Sequence, residues 1–234
     1  MSQHEDDLVF EPQHFSGRAR LFPLPNLVLF PHVVQPLHVF EPRYVELLQD
    51  ALADDRLITM ALLAPGWEQH YEGRPRIAPV ACLGRILSWQ SQAGERYNLL
   101  LLGLRRVRLA CELPPKRSFR EAIVDVLEDE YPSKSAAKQQ RLHRRLVSAF
   151  EKILPRMKDA HDLFNQLSMS NVSLGTLTDV IAYALDLDVQ AKQALLAQVD
   201  VARRAEMLAE HLEQSAHRSV ESCAAGFPPA FSVN

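Results

Sequence analysis

The stretch 21–52, LFPLPNLVLFPHVVQPLHVFEPRYVELLQDAL, sets the terms on which the rest of the chain can fold. Residues 27–30 form a short apolar run stopped by Pro31, as a buried strand would be. Pro36 opens a second run, in which Gln35, Leu37 and Val39 alternate with Pro36, His38 and Phe40. Pro42 stands where a first helical residue belongs, because its fixed φ suits a helix start and its missing N–H costs nothing there. Tyr44, Leu47, Leu48, Ala51 and Leu52 follow at helical spacing. The reading is strand, strand, then a helix near 43–53 whose apolar face must pack onto something.

Further along, 57–63 reads as a buried strand. Pro65, Gly66, Gly73, Pro75 and Pro79 make 64–79 a loop. Strands at 80–90 and 97–104 flank a loop of hairpin length. Val107, Leu109 and Cys111 alternate with Arg106, Arg108 and Ala110, the period of a half-exposed strand, and 119–127 is the last strand. After Pro132 the period changes from 2 to 3.6. Leu142, Leu146, Ala149, Phe150 and Ile153 trace a helix that Pro155 ends. Leu163, Phe164 and Leu167 give a short one. Ser173, Asp188 and Asp200 can N-cap three more. The expected class is α+β: a small closed or half-closed β-barrel with one early helix at 19–131, a helical bundle at 132–215, and flexible tails at 1–18 and 216–234.

Hydrophobic content of 47% and charged content of 24% are ordinary for a soluble globular protein. No apolar run approaches the ~20 residues that span a bilayer. The opening MSQHEDDLVFEP is not a secretory signal, so a cytoplasmic location is expected, with no membrane partner. Three widely spaced cysteines, Cys82, Cys111 and Cys223, suit a reducing compartment, with Cys82 and Cys111 as small core residues.

A phosphate-binding GxxxxGK[ST] loop is absent, and no glycine precedes a lysine. Ser135 and Lys138 fit S-x-x-K, but the partner motifs S-D-N and K-T-G are missing, and a helix start explains the pair. Asn171-Val172-Ser173 fits a glycosylation sequon, which Ser173 as a helix cap explains. His32 and His38 lie close together without a third metal ligand. No metal, cofactor or catalytic residue is expected.

Two surfaces remain. Trp67, Tyr71 and Trp89 are rigid aromatics that could grip an apolar segment, and with His32 they form the candidate peptide-binding set; the competing reading makes them a core cap at the open end of the barrel. The helix 134–158 carries Lys138, Arg141, Arg144, Arg145, Lys152 and Arg156 against the single acid Glu151. Such a face could neutralise phosphates, as could Arg105, Arg106 and Arg108. The competing reading is a solvated face, or one paired with Glu128, Asp129 and Glu130. No aromatics interleave the arginines, which weighs against single-strand binding.

The segment FPLPNLVLFPHVVQPLHVFEPRY resembles the opening of the Lon substrate-binding domain, the N-terminal domain of Lon proteases. That domain also occurs as a stand-alone protein and inside cereblon-type proteins, and the HVFEPRY form is nearest the stand-alone bacterial members. The likeness continues through ALLAPGW at 61–67, YEGRP at 71–75, VACLGRI at 80–86 and YNLLLLGLRR at 97–106, and covers about 19–213. It implies a PUA-like barrel joined to a helical subdomain. It further implies ATP-independent binding of unfolded or exposed polypeptide segments, without catalysis, as an adaptor for a protease. Because PUA domains proper bind RNA, an RNA-binding module using Lys138, Arg141, Arg144 and Arg145 is the alternative. A hydrolase, the third reading, rests only on family names containing "peptidase".

Overall fold

Pro42 opens a helix that buries Tyr44, Leu47, Leu48 and Ala51 on one face, as their spacing requires. The computed structural model describes residues 10–71, 73–131, 136–152, 172–217 and 232–233. In chain order the elements are β1 (Arg18–Leu24), β2 (Val34–Val39), α1 (Pro42–Leu52), β3 (Leu57–Leu62), β4 (Val80–Gln92), β5 (Arg96–Glu112) and β6 (Arg120–Leu127). There follow α2 (Ala136–Glu151), α3 (Leu174–Ala184), α4 (Val189–Ala197), α5 (Val201–His217) and β7 (Ser232–Val233). The class is α+β with a mixed sheet. Ser135, Ile153, Pro155, the short helix expected at 163–167, Asn171 and Cys223 lie outside the described residues.

The strand pairings form a cycle with a branch. β1 pairs parallel with β3 and antiparallel with β6; β4 pairs antiparallel with β3 and β5; β5 pairs antiparallel with β6. Five strands therefore close on themselves. β2 leaves the cycle on the distal half of β5, and β7 lies parallel on β2. The simple barrel expected from strand count is corrected accordingly, because β4 and β5 are too long to be consumed by the cycle and project as a ribbon. Ala19, Ala61, Ala81 and Ala122 sit with Leu21, Leu83 and Val107 in one buried cluster. Small residues on four strands are what a narrow ring interior accommodates.

One strand and one tail expectation need correction. Val28, Leu29 and Phe30 are buried and Leu27 is half-buried, but the run lies outside the strands, and the strand is β1, before it. The segment crosses β5 at Gly103: the Gly103 amide donates to Val33 O and the His32 amide to Gly103 O, each at 2.8 Å. A side chain at Gly103 would run into the Phe30 carbonyl, so only glycine permits the crossing. Phe10, read as part of a tail, is buried beside Phe15.

Ser173 caps α3 by accepting from the Thr176 amide, and Asp188 caps α4 by accepting from Gln190 and Ala191. Asp200 accepts from the Arg203 amide at the start of α5. One hydrophobic cluster runs from β1–β3 through α1 into α2–α5. Arg106 on β5 crosses the same boundary. It holds both Asp179 oxygens at 2.9 and 2.5 Å and donates to Leu196 O at 2.8 Å. Arg204 joins them, donating to Asp129 at 2.7 Å and Thr178 at 3.2 Å. Arg106 is thus buried and not part of a half-exposed strand face. Cys82 is buried, but Cys111 is exposed near the end of β5, not core. Among the described residues, no helix is long and apolar enough to cross a membrane.

Candidate functional site

The start of α1 and the turn Trp67–His70 together build an aromatic stack that runs from core to surface. Phe22, on β1, is fully buried and stacks on Tyr44 with centroids 4.2 Å apart. The Arg43 guanidinium lies 4.7 Å from the Tyr44 ring centre and 4.9 Å from that of Tyr71. Trp67 meets Tyr71 edge-on at 5.5 Å. Gly66, with φ +86°, makes the left-handed turn that launches this segment.

Glu41 fixes the outer tier. It stands at the N-cap position of α1, where its backbone is extended, and uses its side chain sideways. Oε1 accepts from the Tyr71 hydroxyl at 2.7 Å, and Oε2 accepts from Arg43 Nε at 2.9 Å. Burial, then the bond to Glu41, raises the Tyr71 pKa, so the hydroxyl stays a donor. Trp67 and Tyr71 are half-buried, and Phe40, just before Glu41, is exposed. The result is a pre-ordered aromatic surface whose charged groups are already paired. Such a surface suits apolar contact: the rings lose little freedom on binding.

The other expected residues fall elsewhere. Trp89 is exposed at 45% on the projecting ribbon, and its ring neighbour is Arg56, 5.6 Å away. His32 is exposed, with φ +66°, in the crossing over Gly103. Among the described residues, no three His, Cys, Asp or Glu are grouped to hold a metal ion.

The basic helix is partly committed. Lys138 lies 3.6 Å from Glu206, and Arg145 grips Glu213 at 2.8 and 2.7 Å, both acids on α5. Arg141 and Arg144 are exposed. Asp129, an acid expected to face this helix, is taken by Arg106 and Arg204. Glu41 and Arg43 escaped the sequence reading. Their signal was the charge on either side of Pro42 in FEPRY, which marked a helix start and hid a paired side-chain clamp.

A family model described as the ATP-dependent protease La (LON) substrate-binding domain matches residues 18–214. Lon protease 2 of Myxococcus xanthus is 28% identical over 194 residues, which are 83% of this chain and 23% of that protein. A Lon protease of Heliobacterium modesticaldum is 27% identical over 195 residues. The chain spans about a quarter of the length of these curated relatives, 23% in each case. Among solved structures, the N-terminal domain of a Mycobacterium avium complex Lon protease superposes with a TM-score of 0.67 at 16% identity, covering 84% of this chain and 98% of that one. A Lon N-terminal domain protein from Xanthomonas campestris gives 0.55 at 22% identity, covering 82% and 96%.

Proposed function

Because the chain belongs to the family of the Lon substrate-binding domain, we propose that it is a non-catalytic recognition module for unfolded or exposed polypeptide segments, acting as an adaptor for proteolysis. The closed strand cycle is the PUA-like part of that reading, and α2–α5 are its helical subdomain. The observation that carries it is the Trp67–Tyr71 pair, half-buried and held by Glu41 and Arg43. Their half-exposed rings leave apolar faces that a captured segment can cover. The nucleic-acid reading draws less support, since Lys138 and Arg145 face acids on α5.

Trp67→Ala tests the proposal on one sample by two measurements. Capture of an unfolded model protein should weaken at least tenfold, about 1.4 kcal/mol, while the melting temperature moves little. Binding and melting both unchanged would remove Trp67 from the site. A drop in melting temperature that accounts for the whole binding loss would return it to the core, where truncation costs roughly 3–5 kcal/mol.

A further inference from the structure

β2 is the strand that leaves the closed cycle, so its outer side is a sheet edge. Which peptide groups face outward follows from one bond. The Gly103 amide donates to Val33 O, and the register with β5 is unbroken from Val34 to Val39. Residues 33, 35, 37 and 39 therefore turn their peptide groups toward β5, and 34, 36 and 38 turn theirs outward.

The outward groups are not equivalent. Pro36 has no N–H to offer, as is usual for proline on an edge, and its carbonyl accepts from Gln35 Nε2 at 2.8 Å. His38 keeps both its N–H and its C=O, and its side chain is turned aside to Asn98 Oδ1, 2.7 Å away. The chain's own Ser232 and Val233 lie along this edge: Ser232 pairs with Leu37 and Val233 with His38, in parallel. Exposed Phe40 follows one residue beyond β2 and leads to Glu41, which holds Tyr71.

We infer that the β2 edge at His38 is a strand-addition site for an extended polypeptide, occupied in this chain by its own Ser232–Val233, which any captured segment must displace. This deepens the recognition reading and rests on it: main-chain bonds at His38 would give affinity without sequence preference, and the aromatic pair beyond Phe40 would add apolar anchoring. A tethered occupant competes at high effective concentration, so the edge is guarded until a better ligand arrives.

The test uses the full chain and reduced, carboxymethylated α-lactalbumin as the probe. A Ser232→Pro/Val233→Pro variant cannot pair, since proline removes donors and fixes φ. In it the His38 amide should exchange at least tenfold faster, and the probe should bind at least threefold tighter. His38→Pro, at an edge that already tolerates Pro36, should weaken probe binding at least fivefold, whereas His38→Ala keeps the amide and should bind as wild type. Melting curves verify that each variant is folded. Unchanged His38 exchange in the double proline variant overturns the cis pairing. Equal probe binding by wild type, the double variant and His38→Pro overturns strand addition and leaves the recognition reading standing. No probe binding by any variant, with His38 protected in wild type, overturns the recognition reading and the polypeptide ligand with it.

Discussion

The Arg106 guanidinium on β5 and the Asp179 carboxylate on α3 face each other in a two-point ion pair, with side chains only 3% and 1% exposed. Arg204 and Asp129 extend the pair to a group of four. Two charges removed from water are costly unless each has its partners. Here the remaining guanidinium donors reach Leu196 O, Gln198 O and Thr178.

Breaking the pair from one side should therefore be severe. Asp179→Ala is expected to cost about 3–5 kcal/mol, because it leaves two buried guanidinium groups facing Asp129. Replacing both partners, Arg106→Met with Asp179→Leu, should cost less than the sum of the single changes. Urea unfolding of the four proteins of a double-mutant cycle measures this directly.

At Tyr71 the ring and the hydroxyl have separable roles. Tyr71→Phe keeps the contact surface and loses the bond to Glu41, so it should cost about 1 kcal/mol of stability and less than threefold in polypeptide capture. Tyr71→Ala removes the face that Trp67 leans on and should weaken capture at least tenfold. Equal losses in the two variants would transfer the role from the ring to the hydroxyl.

The two described cysteines should differ sharply toward a thiol reagent. Cys111 is exposed and Cys82 is buried, and burial pushes the Cys82 thiol up, which suppresses its thiolate. In a Cys223→Ser background, one thiol should react rapidly with Ellman's reagent under native conditions, and the second only as the protein unfolds. Cys111→Ser should abolish the fast phase.

Alkaline pH should destabilise the fold. Burial raises the pKa of the Tyr44 and Tyr183 hydroxyls and of the Cys82 thiol. A group whose folded pKa is raised contributes stability below its unfolded pKa and loses it as pH rises through the folded value. The unfolded values are about 8.5 for cysteine and 10 for tyrosine. The urea midpoint should hold to about pH 8.5 and then fall through pH 11, and Cys82→Ala should delay the onset. A flat profile to pH 11 would contradict the burial of these groups.

How far the sequence could be read depended on the reach of each signal. α1 was legible because Pro42 and the spacing of Tyr44, Leu47 and Leu48 act within a few residues. Ser173 and Asp188 were legible as caps for the same reason. β1 was hidden because its polar positions look like a tail until Arg18 finds Glu121, and Arg20 finds Asp50, Asp54 and Asp55. Arg106 carried the period of a half-exposed strand, and nothing within its neighbourhood announced Asp179. Within the candidate site, Trp67 and Tyr71 were visible as loop aromatics, whereas the Glu41 clamp depends on a partner 30 residues away.

The closed strand cycle also dictates an order of events in time. β1 finds its parallel partner β3 once β2 and α1 have been made, but its antiparallel partner β6 enters at Arg120–Leu127, roughly a hundred residues after β1 itself. A growing polypeptide can pair β3 with β4 and β4 with β5 as each emerges from the ribosome. It cannot join the two ends of the cycle until β6 has been made. Any product halted between β5 and β6 would present one side of β1 without a neighbour, a sticky strand on a half-made ring.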